Sequence, residues 1–167
     1  MTSQMRYNTK EQIFITQLYI YLLEEHHVTY DEFNELMEIS PSQFSVYLKT
    51  FKQMIKDLRL RCELLEETNK SYEYENQFGV KTYYLQSISN DYYFEYEHLN
   101  EEQLIKYSLT IVYLFLRNSQ YVTTNLLQSI FPNFTRKTSS SLFQKLREII
   151  PGELEKNRLL SYVIDLD

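Results

Sequence analysis

Cysteine is almost missing: Cys62 is the only one in 167 residues, so neither an intrachain disulfide nor a thiolate metal cluster is open to the chain. Glycine is nearly as scarce. With only Gly79 and Gly152, glycine-rich phosphate loops and dinucleotide fingerprints are excluded. Two Gly and three Pro also argue against a fold of many strands and tight turns, and favour helices. No apolar run approaches the roughly 18 residues that a membrane span needs. The N-terminus holds Arg6 and Lys10 without an uncharged apolar stretch and does not read as a signal peptide, so a cytoplasmic setting is expected. His26 and His27 are adjacent and cannot share one helical face, and no third His or Cys completes a metal site. They suit the polar end of a helix. Glu66-Glu67 and Glu101-Glu102 have no partner base. Neither an enzyme, nor a metal, nor a cofactor is expected.

Hydrophobic residues make up 43% and charged residues 24%, so the chain can bury a core, as one ordinary domain or two small ones. Its 16 Tyr suit the edges of that core, with apolar rings inside and hydroxyls outside. The net charge of −6 argues against nucleic-acid binding until it is located. Residues 62–99 hold eight acids against Lys70 and Lys81, whereas residues 40–61 hold Lys49, Lys52, Lys56, Arg59 and Arg61 against Asp57 alone. Phosphates respond to local charge within a Debye length, not to the sum over the chain.

Two helix starts stand eleven residues apart in the run 28–48. Thr29 precedes Glu32 by three residues, and Ser40 precedes Gln43 likewise, which is the reciprocal capping-box spacing. Pro41 sits just inside the second start, where its missing N–H has no consequence. A helix over about 30–37 presenting Phe33, Leu36 and Met37 inward, then a tight turn, then a helix over about 41–58 presenting Phe44, Leu48, Phe51, Met54, Ile55 and Leu58, makes a helix-turn-helix. Lys10–Glu25 reads as a preceding helix, apolar around most of its surface. Arg61–Glu66 and Val80–Leu85 read as two strands joined by a polar loop, giving a mainly α fold with a small β-hairpin: a winged helix-turn-helix.

Asn100 with Gln103 starts a further helix that should run to about Arg117. Beyond it the first half is echoed at an offset of 94: Val122-Thr123 stands where Val28-Thr29 stood, and Leu127, Ile130 and Phe131 where Phe33, Leu36 and Met37 stood. With about four residues inserted in the turn, Leu142, Leu146 and Ile149 match Phe44, Leu48 and Phe51, and Leu159–Leu166 takes the place of the first wing strand. Shared spacing of buried positions is what a duplicated trihelical unit produces. The organisation expected is two tandem winged-helix units: a first domain over 1–87, an acidic aromatic connector or strand over 88–99, and a second over 100–167.

The reading face of the helix 41–56 is Ser42, Gln43, Ser45 and Val46, on the N-terminal turns that meet base edges in such motifs. Gln pairs with adenine, Ser with several bases, and Val with the thymine methyl, so double-stranded, AT-rich DNA is the expected partner. Tyr47, Lys49, Lys52, Lys56 and Arg59 suit phosphates, and four to six such contacts imply a log–log salt slope of about −4 to −5. Lys70, Tyr72 and Lys81 lie in or beside the wing among glutamates that weaken it as a phosphate ligand. Arg136 and Lys137, with Thr135, Thr138 and Ser139, form a second candidate phosphate site at a helix start.

Thr29, Glu32, Phe33, Leu36, Ile39, Ser40, Phe44, Tyr47, Leu48 and Phe51 meet the pattern of the N-terminal winged helix of DeoR- and WYL-type bacterial regulators, which this stretch resembles. The tandem arrangement is similar to that of Mga-type regulators of Gram-positive bacteria. Either resemblance covers about a third of the chain and makes 41–56 the recognition helix. It implies a DNA-binding transcriptional regulator acting as a homodimer. No effector domain follows before Asp167, a departure that implies either a truncated regulator or a small stand-alone one. A plasmid or phage replication initiator domain is the nearest alternative, and a protein-interaction module without DNA the alternative of a different class.

Overall fold

The computed structural model describes residues 9–69, 80–87, 92–118, 122–131 and 133–152. Among these residues the chain is mainly helical, with one small antiparallel sheet. In order come α1 (Thr9–Glu25), β1 (Val28–Thr29), α2 (Tyr30–Met37), α3 (Pro41–Asp57), β2 (Cys62–Asn69), β3 (Val80–Ser87), α4 (Glu101–Lys106), α5 (Ser108–Arg117), α6 (Thr124–Ile130) and α7 (Arg136–Ile149). None of these helices is long and apolar enough to cross a membrane. The chain divides into two compact units, Leu18–Tyr93 and Met1–Gln17 with Phe94–Asp167, so α1 contributes its first half to one and its second half to the other.

In the Leu18–Tyr93 unit, α2 and α3 start where their caps predict. The Thr29 hydroxyl accepts from the Glu32 N–H, and Ser40 from the Gln43 N–H, while the Gln43 side chain returns to the Ser40 N–H at 3.1 Å. Only the second start is a full capping box. At the first, the Glu32 carboxylate instead accepts from the hydroxyls of Thr29 (3.1 Å) and Tyr21 (2.8 Å). Three residues, Glu38-Ile39-Ser40, join α2 to α3. Glu38 ends α2 in the left-handed region at φ 51°, donating its N–H to the Asn34 carbonyl, and the Asn34 side chain accepts from the Ile39 N–H.

All six inward positions expected of α3 are buried, and Phe44 is the hub of the packing: its ring meets Tyr30, Phe33 and Tyr83 at centroid separations of 5.6–5.8 Å. Two expectations fail here. Leu36 is 47% exposed, because α2 is short and buries only Phe33. A strand missed in the sequence, β1, pairs Val28 with Tyr83 and completes a sheet of order β1-β3-β2. The hairpin pairs Cys62 with Ser87 and Leu64 with Leu85, with strands slightly longer than expected.

In the discontinuous unit, the Asn100–Gln103 capping box forms as expected. The single helix expected from it is broken at Tyr107, where the Ser108 hydroxyl donates back to the Ile105 carbonyl at 2.9 Å and bends the chain. Nearly every residue of α5 is buried. No strand forms within 92–99; instead Phe94 and Tyr96 pack edge-on against Phe115, at 5.1 and 5.6 Å. Thr123 caps α6 with backbone angles (−106°, 163°) that repeat those of Thr29 (−107°, 163°). Thr135 caps α7, and the buried Leu142, Leu146 and Ile149 lie 7, 11 and 14 residues beyond it. Those intervals from Ser40 reach Tyr47, Phe51 and Met54, so the two runs align with one extra residue in the turn, not four. The proposed counterpart of the wing, Leu159–Leu166, lies outside the described residues.

Candidate nucleic-acid interface

A helix rises about 1.5 Å per residue, so the 17 residues of α3 extend about 25 Å. Its buried stripe leaves an opposite stripe at helical spacing: Ser42, Gln43, Ser45, Val46, Lys49, Lys52, Gln53 and Lys56 are all exposed, and Arg59 follows just past the helix end. Among the described residues none of Lys49, Lys52 and Lys56 forms an ion pair. The only carboxylate on α3 is Asp57, which accepts from the Gln53 amide at 2.9 Å. Gln53 was missed in the sequence; it sits between two expected phosphate contacts, and helical spacing alone places it there.

Three of the expected contacts are altered. Tyr47 is only 7% exposed and belongs to the inward face, three residues from Phe44 and four from Phe51, so it leaves the phosphate-contacting set. Gln43 is exposed, but its side-chain oxygen accepts from the Ser40 N–H. A bidentate adenine contact needs both ends of the amide, and so requires the cap to open. The Ser42 hydroxyl lies 3.1 Å from that of Ser40 and is also engaged at the cap. Ser45 and Val46 remain, with Val46 56% exposed.

The hairpin carries exposed carboxylates of its own. Glu63, Glu66 and Glu67 are exposed on β2, and Lys81 is exposed on β3. Burial, together with Glu66 across the ladder, raises the Tyr83 hydroxyl above its usual range. Between α3 and β3 lies a groove of about 470 Å³ lined by Thr29, Tyr30, Pro41, Ser45, Lys81 and Tyr83 among others. Lys70 and Tyr72 lie outside the described residues. In the other unit Arg136 and Lys137 are exposed on the first turn of α7 but diverge, Lys137 lining a concavity that Arg136 does not reach. Among the described residues no group of three or more His, Cys, Asp or Glu is placed to hold a metal ion.

No family model, no curated protein and no solved structure matches this chain.

Proposed function

We propose that the chain is a DNA-binding transcriptional regulator in which α3 enters the major groove as the second helix of a winged helix-turn-helix, with β2 and β3 as the wing. The single observation that carries the reading is the exposed stripe of α3: polar at its N-terminal turns, then Lys49, Lys52 and Lys56 one turn apart, in a chain otherwise acidic. A three-residue turn through left-handed Glu38 and the Phe44 ring contacts set the position of that helix within its unit, as a reading head requires. The repeated cap geometry at Thr123 and Thr135 supports a second, related unit, and a homodimer is the natural means of reading a two-fold site.

Three lysines and Arg59 would release counterions with a log–log salt slope of about −3.6, at 0.9 per phosphate. Fluorescence anisotropy with AT-rich and GC-rich duplexes across a salt series tests this. Lys49→Glu with Lys52→Glu should abolish binding at 50 mM salt (order of 10²-fold or more) while far-UV circular dichroism stays unchanged. Binding that the double variant leaves intact refutes the placement of α3. The exposed Val46 and the carboxylates of β2 favour one rival, docking of a protein on the same helix. Absence of any duplex binding by the wild-type chain selects it.

A further inference from the structure

A concavity of about 250 Å³ lies in the discontinuous unit. One wall is a single face of α7: Lys137, Ser141 and Lys145 follow at intervals of four residues, with Thr138 and Leu142 beside them. The opposite wall is Gln12 of α1 with Ser108 and Leu109 at the start of α5, and Phe134 closes one end. Two ammonium groups and no carboxylate line the cavity, within a chain of net charge −6.

Gln12 points to what the cavity takes. It is only 8% exposed. Its side-chain oxygen accepts from the Ser108 hydroxyl at 3.2 Å, yet among the described residues its amide nitrogen, with two N–H donors, meets no acceptor. Gln12 lines the cavity, and two N–H donors there, in a wall that also holds two lysines, suit an acceptor-rich anion. Phosphate supplies several acceptor oxygens in a compact, doubly charged group, and the cavity leaves room for a small apolar body against Leu109, Phe134 and Leu142.

We propose that this concavity is a binding site for a phosphate ester, with Lys137 and Lys145 neutralising the charge and the Gln12 amide donating to a phosphoryl oxygen. The site does not depend on the DNA reading of α3. Its ester is either a small phosphorylated molecule or a backbone phosphate of nucleic acid, and the same experiment separates them.

The test uses the full chain, isotopically labelled, titrated with phenyl phosphate and, separately, with phenol. Phenyl phosphate should shift the Gln12 side-chain amide resonances saturably, and phenol should not. Lys137→Gln with Lys145→Gln, both changes at side chains reaching solvent, should weaken phenyl phosphate at least tenfold while leaving the rest of the spectrum in place. A short duplex that displaces phenyl phosphate from the Gln12 resonances identifies the source as nucleic-acid backbone; phenyl phosphate that stays bound in excess duplex identifies it as a small molecule. No saturable shift up to 10 mM phenyl phosphate, or equal affinity in the double variant, overturns the proposal. So does a phenol shift equal to that of the ester.

Discussion

Replacing Glu38 by glycine should stabilise the protein, because glycine is the residue best suited to a helix end in the left-handed region. Glu38 closes α2 at φ 51°, ψ 71°, is exposed, and among the described residues has no side-chain partner. An L-residue in the left-handed region costs about 1–2 kcal/mol, which glycine removes. Glycine's larger freedom in the unfolded chain takes back about 0.5–1 kcal/mol. The balance favours Glu38→Gly by roughly 0.5–1 kcal/mol, and removing a carboxylate from a helix C-terminus adds about 0.3–1 kcal/mol.

Glu38→Ala separates the two contributions, because it removes the same charge but keeps the backbone penalty. Urea unfolding followed by circular dichroism at 222 nm should therefore rank Gly above Ala by roughly 0.5–1 kcal/mol. If residue 38 were simply helical, glycine would fall about 1 kcal/mol below alanine instead, so the sign of the difference decides. A glycine variant less stable than the alanine variant refutes the left-handed turn, and with it the placement of α3 by a three-residue connection. Hydrogen exchange at Asn34–Ser40 localises the effect, since the Glu38 and Ile39 N–H groups both donate to Asn34.

Burial pushes the Cys62 thiol from 9.0 up to about 11, so at pH 8 its alkylation by iodoacetamide should run about a hundredfold slower than that of an exposed thiol; a rate within threefold of an exposed thiol in the native protein contradicts that environment. Burial, and then the hydrogen bond to Glu32, raise the Tyr21 hydroxyl from 10.0 to about 12. A proton held more tightly in the folded state stabilises it fully below pH 10, and that contribution is lost as pH rises through 12. The wild-type chain should therefore lose stability more steeply than Tyr21→Phe between pH 10 and 12, and parallel urea midpoints across that window would show that Tyr21 ionises with its usual acidity.

Capping chemistry was the most legible signal because it is local. Thr29, Ser40 and Asn100 act through residues three positions on, and the energy that places them needs no tertiary information. The apolar period of α3 was equally clear, and the same period held the correction for Tyr47, whose position between Phe44 and Phe51 outweighs its polar tip. Illegible features depended on partners distant in sequence. Val28 becomes a strand only because Tyr83 lies opposite, and Leu36 is 47% exposed on a helix that buries only Phe33. The break at Tyr107 turns on one serine hydroxyl taking a backbone carbonyl, a competition that spacing alone does not reveal.

Gln43 shows how one pattern can carry two exclusive meanings. Its spacing from Ser40 makes it the returning arm of a capping box, and its place on the first turn of an exposed helix makes it a candidate base reader. One carbonyl oxygen cannot serve the Ser40 N–H and an adenine together at full strength. Base reading by Gln43 therefore costs the cap, about 0.5–2 kcal/mol, which offsets much of the 1–3 kcal/mol that a bidentate contact contributes. Ser42 faces the same competition through Ser40. The stripe contains no arginine before Arg59, so bidentate guanine contacts are missing too. On the DNA reading, affinity then comes chiefly from Lys49, Lys52 and Lys56 on phosphates, while sequence preference falls to Ser45 and to Val46 against thymine methyls. Such a helix should distinguish operators by less than its salt sensitivity would suggest, and would gain specificity mainly from a second reading head at fixed spacing.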